Sequence, residues 1–544
     1  MRLLYLKLLT KFRGLEKGSE FHFDNTELSA DKIEPLCFVG LNGSGKSNLL
    51  EVICEIFYYL ENCILAEGIP EEKFRTEFGF EVSFKMDIQF GEDRNIDWEK
   101  LEKITWQGSK EIFIEFKKIS NLLPTIKIIN PKGEKISDSS NFNIFFLPKH
   151  IIAYSSGQNE LISNPFIKSA YYYFDSLQSS QAKDSNIELG LTRLFHLDYE
   201  CSQFVTVCNY LFKELNEVSL LSKQLKLDKQ EPLDSFCIKI NLYNDRYYKI
   251  NFARSLQIAI ENLKSCATVI EENEKELKLG FKVDKEVRRA FQRKFGSPML
   301  LFRDLYFLNL LNIHLHRVAT RKKIKDAPSQ TYDNLNYLVP VPDREKLIFA
   351  LDKIRFKKEN SNELIRYKNL SDGEHQMLHV LGSIMLLNTS GSILLYDEPE
   401  THFNPEWRSQ LITLINKATV EKDSPDKIRK QEILITSHSP FIVSDCRRER
   451  VFIFENGKAT NPKINTFGTS VNIITEEVFG KSESISGLSL EKIENIKALG
   501  FNTLEKIQAA KEASRELGES VEKVLLFREL IMRENELKKD DKNI

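Results

Sequence analysis

Residues 40–47 read Gly40-Leu41-Asn42-Gly43-Ser44-Gly45-Lys46-Ser47. The octet fits the phosphate-binding pattern G-x-x-x-x-G-K-[ST]. Upstream, Pro35 to Val39 is a short apolar run that reads as a buried strand. Downstream, Asn48 to Leu60 carries apolar residues at helical spacing. The octet therefore joins a strand end to a helix start, where bare N–H groups and the helix dipole face an anion. The glycines, Gly43 and Gly45 among them, let the backbone close around phosphate. Lys46 is predicted to reach the β and γ phosphates, and Ser47 to offer its hydroxyl to Mg²⁺. Asn42 and Asn48 complete the candidate contacts, and the expected ligands are ATP and Mg²⁺.

Three later segments supply what such a site needs. Ser392-Ile393-Leu394-Leu395-Tyr396-Asp397-Glu398 is an apolar strand ending in two carboxylates. Asp397 is predicted to hold the metal opposite Ser47, and Glu398 to polarise the attacking water as general base. Leu370-Ser371-Asp372-Gly373-Glu374-His375-Gln376 lies just before a helix-like run, Met377 to Leu387. Ser371 and Gly373 at a helix N-terminus make a second anion-binding surface. Ile433-Leu434-Ile435-Thr436-Ser437-His438-Ser439-Pro440 is a further strand, ending in a histidine placed to sense the γ-phosphate.

In this order the motifs resemble those of the ABC-type ATPases, in particular their soluble branch. That branch includes the double-strand-break repair ATPases, the SMC and RecF proteins, and the ATPases of the overcoming-lysogenisation-defect type. Asp372 stands where the family signature has glycine, and Glu374 where it has glutamine. The resemblance implies an α/β head with a mostly helical insertion and a helical C-terminal extension. It also implies head-to-tail dimers or larger even assemblies, with Ser371 and Gly373 of one subunit closing on ATP held by Lys46 of the other. The loop Glu400 to Pro405 is expected at that interface. Gln158, after Tyr154-Ser155-Ser156-Gly157, is the candidate lobe-joining glutamine and metal ligand. Arg13, in Phe12-Arg13-Gly14-Leu15, matches an N-terminal turn whose arginine lies near the nucleotide.

Asp397-Glu398-Pro399-Glu400-Thr401-His402-Phe403-Asn404-Pro405 and residues 152–157 further resemble the restriction-system-associated ATPases. Among these are the PtuA ATPases of Septu-type antiphage systems, some of them encoded in retron operons. That resemblance implies a separate HNH nuclease subunit of the PtuB kind. The chain has no H-N-H cluster of its own, and the residues after His438 are expected to be mostly helical rather than a nuclease domain. The alternative is an SMC- or RecF-like repair ATPase with no nuclease partner. A membrane-transporter ATPase fits less well, because the insertion is too long.

The bulk properties agree with a head plus additions. The chain has 544 residues with a net charge of −2, and is 41% hydrophobic and 29% charged. That length is enough for about three to four domains. No apolar run approaches the roughly 20 residues that span a bilayer. No leader, disulfide framework or zinc site is expected, and the expected compartment is the cytoplasm. The expected divisions are 1–180 and 355–480 for the two halves of the head, 181–354 for the insertion, and 481–544 for the extension. Within the insertion, helices are expected at Arg254 to Leu277 and Asp284 to Phe295, and a hairpin at Phe236 to Phe252 turning on Asn244-Asp245. Residues 281–326 hold twelve Lys/Arg against four acids. Lys282, Arg288, Arg289, Arg293, Arg321, Lys322 and Lys323, interleaved with Phe291, Phe295 and Phe302, make a candidate surface for DNA or retron RNA/DNA. A solvated helix face with its phenylalanines turned inward is the other reading.

Overall fold

The structure is a computed structural model. It describes residues 1–23, 33–65, 71–87, 111–129, 135–139, 146–157, 160–182, 193–212, 215–243, 249–328, 334–361, 363–387, 391–421, 424–428, 431–481 and 485–540. Its centre is a seven-stranded sheet. The order across it is Lys458–Thr460, Val451–Glu455, Leu36–Gly40, Glu432–Ser437, Ile393–Asp397, Ile151–Ser155 and Leu194–His196. All neighbours are parallel except the Val451–Glu455/Lys458–Thr460 pair. That pair is a hairpin closed by Asn456-Gly457, both at positive φ (49° and 75°), as a two-residue turn matched to strand twist requires. The inner strands Leu36–Gly40, Ile393–Asp397 and Glu432–Ser437 are buried at every residue and mainly apolar between their ends, as parallel strands are.

The helix Lys46–Leu65 follows the Leu36–Gly40 strand and is covered by a six-stranded antiparallel sheet. Along Phe80–Asp87 the residues Phe80, Val82, Phe84 and Met86 alternate inward, the pattern of a sheet with one buried face. Phe57 and Tyr59 of the helix meet Phe84 and Phe80 at ring-centroid distances of 5.8 and 6.1 Å. On the other side of the parallel sheet, the signature helix Asp372–Leu386 packs with Tyr199–Phe212 and Pro405–Thr419 into one continuous core with the insertion.

The insertion holds the expected helix Lys285–Phe295, N-capped by Asp284, together with helices Arg254–Cys266 and Pro298–Leu310. It also contributes to a five-stranded antiparallel sheet, ordered Val269–Glu272, Glu276–Lys282, Leu233–Asn241, Phe349–Lys357 and Leu364–Arg366. Two expectations are corrected here. The helix from Arg254 ends at Cys266, and the next residues turn into strands. Leu233–Asn241 pairs along its length with Glu276–Lys282 and Phe349–Lys357; of the expected hairpin, the described residues show a bridge between Tyr243 and Lys249 and the Ile250 N–H donating to the Leu242 carbonyl at 2.8 Å. Its turn residues, Asn244 and Asp245, lie outside the described residues. In both cases long-range pairing of the apolar alternation Phe236, Ile238, Ile240 with Leu277, Leu279, Phe281 overrides a local reading.

Phe291, Phe295 and Phe302 are buried. The aromatic part of the candidate nucleic-acid surface is therefore core, while Lys282, Arg289, Arg293, Lys322 and Lys323 are exposed. Lys282 pairs with Asp234 and Arg289 with Glu286, while the Arg321 guanidinium lies 5.4 Å over the Phe174 ring. The helices Gly487–Ala498, Leu504–Ala513 and Val521–Asp540 form a small core of their own around Ile493, Ile496, Ile507, Leu526 and Leu530. Among the described residues, no helix is long and apolar enough to cross a membrane.

Candidate functional site

The strands Leu36–Gly40, Glu432–Ser437 and Ile393–Asp397 are neighbours and point the same way. Their register sets Val39 beside Ser437 and Thr436 beside Asp397. The phosphate loop, the histidine and the two carboxylates therefore leave one edge of the sheet together, the edge at which open α/β sheets hold ligands.

The loop is shaped by its glycines and by what lies behind it. Gly40 has φ +145°, and a Cβ there would lie 2.4 Å from the Phe454 carbonyl oxygen. Gly43 and Gly45 are also at positive φ (78° and 107°), open to residues without a Cβ at little cost. The Asn456-Gly457 hairpin turn reaches back, and the Gly457 N–H donates to the Ser44 carbonyl at 2.9 Å. Leu41, Asn42 and Gly43 form the exposed rim. Lys46 donates its ammonium to the Gly40 and Leu41 carbonyls at 3.0 and 3.1 Å. Burial lowers its pKa, opposed by the negative charges of Glu398 and Asp397.

Ser47 donates to Asp397 Oδ1 at 3.0 Å, a contact between residues 350 positions apart. Thr436, on the strand between them, donates to the same oxygen. Asp397 is buried, which raises its pKa, while the hydrogen bonds from Thr436 and Ser47 pull it down. Glu398 lies just beyond, its Oε1 3.3 Å from His438 Nε2. That contact, ahead of every other influence, holds the Glu398 carboxyl below its usual range, so it is ionised at neutral pH as a general base must be.

Glu398 has φ +52°, a conformation that costs a residue with a Cβ about 1–2 kcal/mol. Its backbone is held there on both sides. The N–H donates to the Thr436 carbonyl at 3.2 Å and to Thr436 Oγ1 at 3.0 Å. Its carbonyl accepts from Thr401 Oγ1 at 2.9 Å and from Gln376 Nε2 at 3.3 Å. Two residues on, the buried Glu400 accepts from Ser437, and burial raises its carboxyl to about 7.

The remaining predicted residues fall into three groups. Asn48 is on the first helical turn, where a Cβ on Gly14 would meet its Nδ2 at 2.8 Å, so the Phe12–Leu15 turn does pack against the loop helix. Arg13, however, turns its Nε to Glu51 Oε2 at 2.5 Å inside the protein. Glu51 is buried and its carboxyl is raised to about 7 despite that partner. Arg13 thus sits beside the loop helix with its guanidinium on a buried carboxylate that feels the charge of Asp397, and its expected place near the nucleotide is carried forward as a proposal. Gln158 lies outside the described residues; Ser156, just before it, donates its N–H to the Asp397 carbonyl at 3.1 Å. Ser371 caps its helix in a reciprocal capping box with Glu374, the stabilising use of a glutamate three residues after a serine cap. Gly373 is buried, with room for no side chain, since a Cβ would lie 2.8 Å from the His402 carbonyl oxygen.

Sequence reasoning passed over Thr436, Ser437, Gln376 and Gly457. The hydroxyls of Thr436 and Ser437 stand in the quoted strand end, where two donors beside two acids are a readable signal. Gln376 and Gly457 carry no signal outside the folded chain. The donor set suits a magnesium nucleotide. A hydroxyl and a carboxylate are hard oxygen ligands, they meet at the N-terminus of a 20-residue helix, and a lysine is at hand for phosphate charge. A cavity of about 750 Å³ lies elsewhere, lined by Tyr154, His196 and His379.

Residues 242–444 match the family model described as "AAA domain, putative AbiEii toxin, Type IV TA system". The match takes in the signature helix, Asp397, Glu398 and His438 and ends at Ser444; the phosphate loop lies outside it. No curated protein matches. Among solved structures, an Smc head bound to the C-terminal winged-helix domain of ScpA aligns at 10% identity over 86% of this chain and 98% of its own, TM-score 0.31. An Smc head with a coiled coil and joint from Pyrococcus yayanosii aligns at 10% identity over 88% and 99%, TM-score 0.30. Residues 242–444 are thus similar to an AAA domain, and they belong to a mixed α/β structure.

Proposed function

We propose that this chain is an ATP-hydrolysing head that closes as a head-to-tail pair on two molecules of Mg·ATP, and that it controls a separate HNH nuclease in an antiphage complex. The observation that carries the ATPase reading is the meeting of Ser47 with Asp397 and of Glu398 with His438 at one sheet edge. Ser47 and Asp397 would hold Mg²⁺, which when bound neutralises charge on the β- and γ-phosphates. Lys46 would leave the two loop carbonyls for the γ-phosphate. Glu398, ionised and backed by His438, would take the proton of the attacking water. The exposed Ser371 would face the nucleotide of a second copy, with Gly373 holding its helix against the 400–405 loop. The nuclease reading rests on the resemblance of residues 152–157 and 397–405. It is supported by the helical C-terminal unit, whose exposed Val524, Leu525 and Met532 suit a protein partner. The charged 281–326 face is the place proposed for DNA or retron RNA/DNA.

Glu398→Gln tests the catalytic core of this reading. It should keep ATP binding, abolish turnover and accumulate an ATP-bound even oligomer, read by native mass spectrometry. Wild-type hydrolysis in that variant would remove Glu398 as the base. Co-expression with neighbouring genes tests the partner; a nuclease-sized subunit in the purified assembly is the expected result, and a bare dimer gaining mass only with DNA would favour a repair ATPase.

A further inference from the structure

Gln376 lies one turn into the signature helix, is 1% exposed, and uses both ends of its side chain. Its Oε1 accepts the His402 N–H at 2.9 Å, and its Nε2 donates to the Glu398 carbonyl at 3.3 Å. The partners fix the amide orientation, because an N–H needs the oxygen and a carbonyl needs the nitrogen. A second observation ties the same two elements together: Gly373 sits so close to the His402 carbonyl that a Cβ would be 2.8 Å away. The first turn of the signature helix and the loop 398–402 are therefore held as one body by backbone-to-backbone approach and by a bidentate side chain.

We infer that Gln376 is a positioning residue for hydrolysis. It links the signature helix to the backbone of Glu398, so that engagement of Ser371 by a second subunit's nucleotide is transmitted to the base within its own chain. The inference rests on Glu398 being the general base. Glu398 needs such a link because it is held at φ +52°, and among the described residues Gln376 is the partner from outside its own turn on a carbonyl that otherwise accepts from the N–H and hydroxyl of Thr401. Freed of Gln376, the turn can relax and carry the carboxylate away from the attacking water, while the groups that bind ATP stay in place. Loss should therefore fall on kcat and leave KM for ATP unchanged.

The discriminating variant is Gln376→Glu. An ionised carboxylate can accept from His402 N–H but offers only a lone pair to the Glu398 carbonyl. Once protonated it has one donor and one acceptor, the pattern of the native amide. The ratio of its kcat to wild-type kcat should rise as pH falls from about 8 to about 6, whereas a packing role would leave the ratio flat. Gln376→Leu should lower kcat roughly 10- to 100-fold, the scale of a small displacement of a catalytic group, at unchanged pH dependence. Glu398→Gln is run alongside. If it is inactive while Gln376→Leu turns over at the wild-type rate, or if the Gln376→Glu ratio is flat, the coupling is wrong. If Glu398→Gln is itself active, it is the assignment of the base that fails.

Discussion

Thr436 is the residue on which the two carboxylates depend together, and replacing it by valine isolates that dependence. Valine has nearly the same shape, so the fully buried position stays filled. What disappears is one hydroxyl with two duties. It donates to Asp397 Oδ1, and it accepts the Glu398 N–H at 3.0 Å. A hydrogen bond to a charged acceptor contributes about 1.5–3 kcal/mol and a neutral one about 0.5–1.5 kcal/mol. The second loss is cushioned, because the Glu398 N–H keeps the Thr436 carbonyl at 3.2 Å. A net loss of about 2–3 kcal/mol corresponds to roughly a 30- to 150-fold fall in kcat/KM. The pH dependence has a definite sign. Thr436 pulls the Asp397 pKa down against burial; without it the pKa rises, less of the carboxylate is ionised at a given pH, and the deficit grows as pH falls. The assay is a Mg²⁺ titration of steady-state ATP hydrolysis at several pH values, with Thr436→Ser as the control that keeps the hydroxyl. Half-saturation by Mg²⁺ and kcat within about twofold of wild type at every pH would refute the reasoning.

Two further outcomes follow from the same geometry. His438→Gln removes the contact that lowers the Glu398 pKa, so the carboxyl should titrate higher and the acid limb of the kcat–pH profile should move to higher pH; an unmoved limb would show that His438 does not set the base. Gly40→Ala places a methyl group 2.4 Å from the Phe454 carbonyl oxygen at φ +145°, where neither backbone can yield cheaply. It should lower the melting temperature by several degrees and abolish nucleotide binding, whereas Gly43→Ala, at φ +78° with open space around it, should cost only about 1 kcal/mol. Equal melting temperatures for the two would contradict this account of the loop.

The strands and acids of the site were legible because each is a short segment with its own signature. Gly40 to Ser47, Tyr396-Asp397-Glu398 and Thr436-Ser437-His438 each end an apolar run with the residues a nucleotide needs. Burial on both faces of a parallel sheet writes itself into the chain as continuous apolar stretches. Arg13 was legible only as a motif, since nothing local tells whether a guanidinium turns outward to phosphate or inward to Glu51. The five-stranded sheet of the insertion was hidden for a related reason. Arg254 to Leu277 begins with a helical pattern, and only pairing with Leu233–Asn241, far from it in space until the chain folds, decides that residues 276–282 extend. Phe291, Phe295 and Phe302 look like an aromatic ladder among bases when read in one dimension. On helices they fall on the inner face, and the bases take the outer one.

The geometry of the site also explains a buried charge pair at the opposite end of its strands. Ser47, Asp397 and Glu398 meet only while the Glu432–Ser437 strand keeps its register, because side chains alternate and a slip of one residue would turn Thr436 away from Asp397. An all-apolar strand such as Ile433-Leu434-Ile435 does little to choose between registers. Glu432, at its start, does more. Its carboxylate pairs with Arg450 at 2.6 Å and accepts the Leu3 N–H at 2.9 Å, and Arg450 also donates twice to the Glu34 carbonyl just before the phosphate-loop strand. Both side chains are 2–3% exposed. A slipped strand would leave a buried charge without its partner, at a cost of about 3–5 kcal/mol. Replacing such a pair by apolar residues is often neutral for stability, so stability is a weak reason for placing it here. Register is a stronger one: the pair ties three segments, Leu3, Glu34 and Glu432, to one position along the sheet, and the catalytic residues at the other end inherit that alignment.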